Sequence, residues 1–329
     1  MFLLDINELN HLKDYLVQHG WLSQEEDIIK LTKPGEGNMN YVLRVDTGNR
    51  TFIVKQSRSY VEKYPQIPAP ANRILIEGAF YFRVSSSQEL SQLMPTVIGV
   101  DSENNILAIS DLGKSRDCSF LYHTDEKLDP NILQSLVNYL NVLHKSYFNP
   151  DGDAQFLNHE MRRLNHEHMY YYPFLIDNGF DLDLITPGLQ VLAIKYKTDE
   201  ALKKIIRQVG EVYLKVGQYL LHGDFYPGSW LHTEDDVKII DPEFCFYGPR
   251  EFDLAVMKAH LMICQYDEVT IGRIIGSYGA FKNLDSSLLN QMTGIEIMRR
   301  LIGLAQLPLI MDISAKEQLL STAYKMIIH

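Results

Sequence analysis

The sequence predicts an α+β fold in two lobes, a small β-rich first lobe (1–110) and a larger, mainly helical second lobe (111–329). Three observations carry this. Segments rich in β-branched and aromatic residues, separated by Pro-Gly and Thr-Gly-Asn turn signals, crowd the first third of the chain. From about Asp129 the apolar residues recur at helical spacing instead. A polar stretch over 111–128 lies where the period changes, as a hinge between lobes would.

The opening MFLLDINELNHLKDYL has acidic residues between its apolar positions and no basic start, so it reads as an amphipathic helix and not a signal peptide. Segments 27–33, 39–46 and 51–57 follow as sequential antiparallel strands. The proline-rich 62–72 reads as a loop, and RILIEGAFYFRVSS from Arg73 as a helix. Two short strands, 96–101 and 105–110, close the first lobe. In the second, Ile132, Leu133, Leu136, Val137, Leu140 and Leu143 mark one helix. Leu202, Ile205, Ile206, Val209, Val212, Tyr213 and Val216 mark another, expected to run to about Leu220.

Composition narrows the class of function. The chain has 329 residues, 46% of them hydrophobic, enough for a sizeable core. Its formal net charge of −11 opposes general binding to nucleic acid or an anionic membrane, so a phosphate ligand would need local cations. No run approaches the roughly eighteen apolar residues of a membrane span. Cys118, Cys245 and Cys264 are widely spaced without a CxxC pattern, which points to a reducing cytoplasm.

The chemistry-bearing residues come in a telling order. Gly35 and Gly37 of PGEGNMNY sit between two expected strands, where glycines let a backbone approach phosphates closely; in isolation a plain hairpin turn is the better reading. Lys55 ends the strand TFIVK on the face opposite Phe52 and Val54, and an inward lysine needs a counter-charge, for which Glu77 of the next helix is the candidate; a surface lysine and a solvated glutamate fit these two residues equally well. In LHGDFYPGSWLHTEDDVKIIDPEF, Asp224 is placed to accept a proton from a substrate hydroxyl. Asp241, after the strand VKII, and Glu243 offer hard carboxylate oxygen to magnesium. A glycine-rich hairpin, strand lysine, helical glutamate, catalytic aspartate and metal aspartate in that order is a phosphoryl-transfer arrangement of the protein-kinase architecture. His222 and His232 lack the context of a zinc site, and His222 reads as a packing residue. His159, His166 and His168, with Arg162 and Arg163, read as a solvated helical face. Arg299 and Arg300 adjoin in one helix; pointing about 100° apart, they are expected on different faces, one toward a ligand and one in a structural pair.

These motifs resemble those of the aminoglycoside and choline kinase superfamily, and within it most closely those of the methylthioribose kinases. The matching pieces are GEGNMNYV, VKQS, HGDFYPGS, DPEFCFYGPREFD and RRLIGLA, scattered from about Lys33 to about Ala305. Ser229 stands where many superfamily members have asparagine, and serine is the methylthioribose kinase pattern. The resemblance implies a protein-kinase-like fold and an ATP-dependent, Mg2+-dependent kinase of a small-molecule hydroxyl, acting on the 1-hydroxyl of 5-methylthioribose. It implies Asp224 as catalytic base contacting the acceptor, and Asp241 and Glu243 as metal ligands. Gly35, Gly37 and Asn38 would form the nucleotide loop, and Lys55 with Glu77 the phosphate clamp. Ser110 to Leu112 would be the connector whose backbone meets adenine, and Arg299 and Arg300 would hold the acceptor and the transferring phosphate. Homodimerisation is implied only in this way. The segment 146–200 departs from the pattern, so another sugar, an amino alcohol or an aminoglycoside stays open as acceptor, and so does a non-catalytic nucleotide-binding module.

Overall fold

The computed structural model describes residues 2–35, 39–234, 236–279 and 284–329. The chain divides into two compact units, Met1–Arg116 with Lys238–Cys245, and Asp117–Val237 with Phe246–His329. Gly37 and Asn38 of the expected nucleotide loop lie outside the described residues.

The first unit holds helix α1 (Leu9–Gln18), strands β1 (Lys30–Thr32), β2 (Tyr41–Asp46), β3 (Thr51–Gln56), β4 (Tyr60–Val61) and β5 (Tyr64–Pro68), helices α2 (Arg73–Val84) and α3 (Gln88–Ser91), and strands β6 (Val97–Asp101) and β7 (Ile106–Ser110). Five of the strands form one antiparallel sheet in the order β1-β2-β3-β7-β6. Strict alternation in β2 buries Tyr41, Leu43 and Val45, which join Phe52, Val54, Ile106 and Ala108 under Leu12, Tyr15 and Leu16 of α1. Each such side chain contributes about 1.5–3 kcal/mol by leaving water. The proline-rich segment expected as a loop instead carries the β4–β5 hairpin. That pair stands apart from the main sheet, where prolines remove no ladder bond that a central strand would need.

The opposite face of the sheet receives α2. Gly78 permits the close approach, since a Cβ there would sit 3.3 Å from both Leu107 Cδ1 and Val100 Cγ2. The N-terminal helix starts only at Leu9; before it, Leu4 N–H donates to Gln56 Oε1 at 2.8 Å.

The second unit is mainly helical: α4 (Pro130–Ser146), α5 (His159–His166), α6 (Leu189–Lys197), α7 (Glu200–Leu214), α8 (Glu251–Ile263), α9 (Glu268–Gly276), α10 (Ser286–Ile302) and α11 (Ile313–Ile328). Aspartate caps start several of them: Asp129, Asp199, Asp285 and Asp312 accept the backbone N–H of Asn131, Leu202, Leu288 and Ala315. Each cap contributes about 1 kcal/mol, so these starts are set locally. Short strands Tyr219–Leu221 and Phe246–Gly248 pair antiparallel.

Two helical expectations are corrected. The helix expected to run to Leu220 ends at Leu214, because Lys215 is extended and Gly217 N–H bonds to Tyr247 carbonyl at 2.9 Å, so the chain enters a strand before Asp224. Of the expected solvated face, His159 and Arg163 are exposed and His166 and His168 half-buried, but Arg162 is not solvated. Arg162 is buried, donates to the carbonyls of Tyr213 (2.7 Å) and Lys215 (2.8 Å), and lies 4.5 Å over the Phe246 ring.

Candidate active site

The β3 pleat sends Lys55 to the α2 side of the sheet, where Glu77, next to Gly78, meets it. Lys55 Nζ donates to Glu77 Oε1 at 2.7 Å and also to Asp241 Oδ1. Burial alone would lower the pKa of this ammonium; the carboxylates of Asp241 and Glu77 outweigh it and hold the group charged above its ordinary value. Tyr81, one turn beyond Glu77, closes a ring: its hydroxyl donates to Glu77 Oε1 (3.1 Å) and accepts Asp241 N–H (3.1 Å). Asp241 adopts a left-handed backbone, φ 64°, immediately before Pro242. That conformation costs a non-glycine residue on the order of 1 kcal/mol or more. The Tyr81 and Lys55 bonds hold it there.

Glu243 lies deeper. Asn40 Nδ2 donates to its Oε2 at 2.9 Å, and Arg73 Nε lies 3.4 Å from the same oxygen. Burial pushes the Glu243 carboxyl up to about 8, with Arg73 opposing. Arg73 is itself fully buried and gathers the surrounding backbone, donating to the carbonyls of Met39, Arg58, Tyr60 and Pro70. At the end of β7, Ser110 Oγ accepts Thr96 N–H (2.9 Å), and Arg44 donates to Asp111 Oδ1 (3.0 Å), which fixes the chain leading to Leu112. Among the described residues, nothing lies within 4 Å of where a Cβ on Gly35 would be.

In the second unit, the loop carrying Asp224 hangs on a buried carboxylate that sequence reasoning missed. Asp253 of α8 accepts the backbone N–H of His222 (Oδ2, 2.7 Å) and Gly223 (Oδ1, 3.0 Å), and His144 Nε2 lies 3.2 Å from Oδ2. Gly223 has φ +85°, a backbone that an L side chain rarely adopts. The far end of the loop is tied by Ser229, whose hydroxyl donates to the Asp224 carbonyl at 2.8 Å. His222 is buried edge-on to Phe225, ring centroids 5.5 Å apart, as expected of a packing residue. Among the described residues, no group of three or more His, Cys, Asp or Glu is arranged to hold a metal.

Arg299 and Arg300 converge, contrary to the expectation that they diverge. Their terminal nitrogens lie 4.0 and 3.7 Å from the same oxygen, Asp224 Oδ1. The reason is Glu296, three and four residues earlier on α10. At 100° per residue the two arginines fall about 60° to one side of it and about 40° to the other, within reach of one carboxylate. Arg299 Nε donates to Glu296 Oε2, and Arg300 Nε to Oε1 at 2.8 Å. Burial opposes ionisation of Glu296, and the guanidiniums overcome it, holding its carboxyl well below the usual range.

The family model for the "Phosphotransferase enzyme family" (APH) matches residues 30–276, most of the chain, including Lys55, Glu77, Asp224, Asp241 and Glu243 but not the arginine pair of α10. The chain belongs to this phosphotransferase family. Among curated relatives, the methylthioribose kinase of Bacillus cereus strain B4264 is 26% identical over 272 residues, 79% of this chain and 66% of the relative. That of Bacillus thuringiensis strain Al Hakam is 26% identical over 258 residues, 76% and 64%. The aligned part thus spans just under two thirds of the length of these relatives. The choline kinase LicA from Streptococcus pneumoniae has a similar structure, with a TM-score of 0.54, 13% identity and coverage of 97% and 98% of the two chains. So does a putative fructosamine-3-kinase from Thermobifida fusca, with a TM-score of 0.53, 15% identity and coverage of 97% and 99%. At such identities the likeness shows the fold: the phosphotransferase chain is protein-kinase-like, with a small β-rich first lobe and a larger helical second lobe.

Within this family member, Lys55, Glu77, Asp241 and Glu243 come together in the first unit, and Asp224, Arg299 and Arg300 in the second. Sequence reasoning missed Tyr81, Arg73, Asn40, Asp253 and Glu296. Asn40 and Asp253 stand inside the motifs GEGNMNYV and DPEFCFYGPREFD without a role assigned to them, and Glu296 left a signal in its spacing of three and four from the arginines.

Proposed function

We propose that the chain transfers the γ-phosphate of ATP to a hydroxyl of a small molecule, with the 1-hydroxyl of 5-methylthioribose as acceptor. The observation that carries this is the pair of guanidiniums facing Asp224: a carboxylate to take a proton, flanked by cations to meet phosphate charge.

Asp224 is the base. Its side chain is 25% exposed, and its loop is fixed at both ends by Asp253 and Ser229, so the carboxylate is accessible while its backbone is held. It accepts the acceptor's hydroxyl proton as the oxygen bonds to phosphorus, an effect worth roughly 10²–10⁴ in rate. Arg299 and Arg300 stabilise the negative charge spread over the transferring phosphoryl oxygens. In the first unit Lys55 meets the nucleotide phosphates and Glu77 orients it.

The donor set fits Mg2+. Asp241, with a side chain 42% exposed, offers accessible hard oxygen, and Glu243 lies two residues on. One or two carboxylates with nucleotide phosphates and water are a customary Mg2+ environment; Asp241 is the accessible one, and Glu243, buried against Asn40 and Arg73, would serve only as the second. When bound there, Mg2+ would neutralise phosphate charge. The acceptor assignment rests on the methylthioribose kinase relatives and on Ser229.

The test is turnover by purified protein with ATP and methylthioribose, choline, homoserine and aminoglycosides, with Asp224→Asn as control. Turnover of methylthioribose, lost in the control, is expected. Turnover of another acceptor alone would move the acceptor and leave the phosphotransferase reading standing; no turnover and no ATP binding would sink both.

A further inference from the structure

Behind the arginine pair lies a buried polar chain that the proposed chemistry does not use. Glu296 is fully buried at the centre of α10 and receives three donors. These are Nε of Arg299, Nε of Arg300 at 2.8 Å, and Nε2 of His260 on α8 at 3.0 Å. His260, also fully buried, meets the Tyr122 hydroxyl through Nδ1 at 2.6 Å. The polarity of the chain follows from its ends. Glu296 is ionised and only accepts, so His260 Nε2 carries the proton; Nδ1 is then the acceptor and Tyr122 the donor. Burial holds His260 neutral, down to about 4, and burial keeps Tyr122 protonated, so both can play these parts at neutral pH.

The geometry sorts the guanidinium hydrogens. An arginine has five N–H donors in a rigid planar fork, and committing Nε to one partner fixes where the terminal nitrogens point. Here both Nε groups are committed to one carboxylate, and both ends face Asp224 Oδ1. The Arg300 guanidinium is further laid over the Tyr226 ring, 4.8 Å from its centroid, on the loop that carries Asp224. With His260 neutral, the two cations are balanced by Glu296 and Asp224. A site of two free arginines would instead carry uncompensated charge that repels itself and scatters the side chains.

We propose that Glu296, backed by His260 and Tyr122, is the positioning residue of the acceptor site, gripping both arginines by Nε so that their termini converge beside Asp224. The proposal rests on the reading of Asp224 as the base toward the acceptor. Arginines held in this way need no reorganisation when phosphate charge develops between them, so the loss of Glu296 should appear in the transfer step and not in nucleotide affinity.

The test uses the full chain with ATP and methylthioribose. Glu296→Gln places an amide N–H₂ against Nε–H donors, and at least one arginine must turn away. The expected result is a fall in kcat of tenfold or more with the KM for ATP within twofold of wild type. Glu296→Asp, which keeps the charge, should recover part of the loss. Tyr122→Phe removes only the outermost link and should lower kcat severalfold in a folded protein, which covers the case in which Glu296→Gln does not fold. A second readout is independent of acceptor: the Nε–H resonances of Arg299 and Arg300 should both be protected from solvent exchange in wild type and in Glu296→Asp, while at least one of them loses protection in Glu296→Gln. If wild type does not phosphorylate methylthioribose, the acceptor assignment fails and these resonances decide the positioning role. Unchanged kcat per active site in Glu296→Gln, or arginine Nε–H groups unprotected in wild type, would overturn it.

Discussion

The hydroxyl of Tyr81 accepts the backbone N–H of Asp241 at 3.1 Å while donating to Glu77 at the same distance. One phenol thereby links the residue proposed to hold metal to the partner of the phosphate lysine. It does so at the point where Asp241 turns left-handed, φ 64°. Tyr81→Phe removes the acceptor while keeping the ring. The expected outcome is a loss of about 1–2 kcal/mol of stability in denaturant titration, with a severalfold higher Mg2+ requirement for half-maximal activity. An unchanged Mg2+ dependence would show that Asp241 keeps its conformation unaided.

Lys55 and Glu77 form a buried ion pair, and removing one partner differs from removing both. Lys55→Met leaves Glu77 buried without its hydrogen-bonded cation, so a destabilisation of roughly 3–5 kcal/mol is expected. The double variant Lys55→Met/Glu77→Leu should recover much of that stability without recovering activity. Melting temperatures of the wild type, both single variants and the double variant measure the coupling. Additive losses would mean that the pair is not coupled.

Asp253 is expected to act on activity without touching substrate. Asp253→Asn replaces one acceptor oxygen with an amide donor facing the backbone N–H of His222 or Gly223, so the Asp224 loop loses an anchor. A kcat lowered by at least tenfold and a destabilisation of about 1–3 kcal/mol should appear together. ATP affinity, read by isothermal titration, should hold.

His260 gives the fold a signature in acid. It is fully buried, and its pKa is lowered from 6.5 to about 4, chiefly by burial. Between those values the unfolded chain binds a proton that the folded chain does not, so stability falls as the pH drops from 6.5 toward 4 and this contribution levels off below. Its size is at most ~3 kcal/mol. Comparing melting temperatures of wild type and His260→Gln across pH 4–7 isolates it; equal slopes would mean that His260 takes no part.

Much of the fold was legible because its signals are local. The β-branched and aromatic runs of β2 and β3 and the helical period of α4 each act within a few residues. The β4–β5 hairpin was not legible, since prolines on an isolated hairpin resemble those of a loop. The site was legible where one segment carries it, as in HGD or DPE. It was hidden where partners are distant: Asp253 serves a loop thirty-one residues earlier, counted to His222, and Arg73 meets Glu243 from far along the chain. The convergence of Arg299 and Arg300 was misread from backbone angles alone, because long side chains can bend toward one shared carboxylate.

The division of the chain has a consequence for its synthesis. The first unit is assembled from Met1–Arg116 and the short return of Lys238–Cys245. On a ribosome adding about 5–20 residues per second, roughly 130 further residues must be made after Arg116 before that return is available, a delay on the order of ten seconds. Through that interval the emerging sheet carries Lys55, Glu77 and Arg73 without Asp241 or Glu243, so its final charge balance is reached late. A fragment ending at Arg116 would remain in that unfinished state, and a faithful minimal version of this unit must graft the return segment by a designed connection.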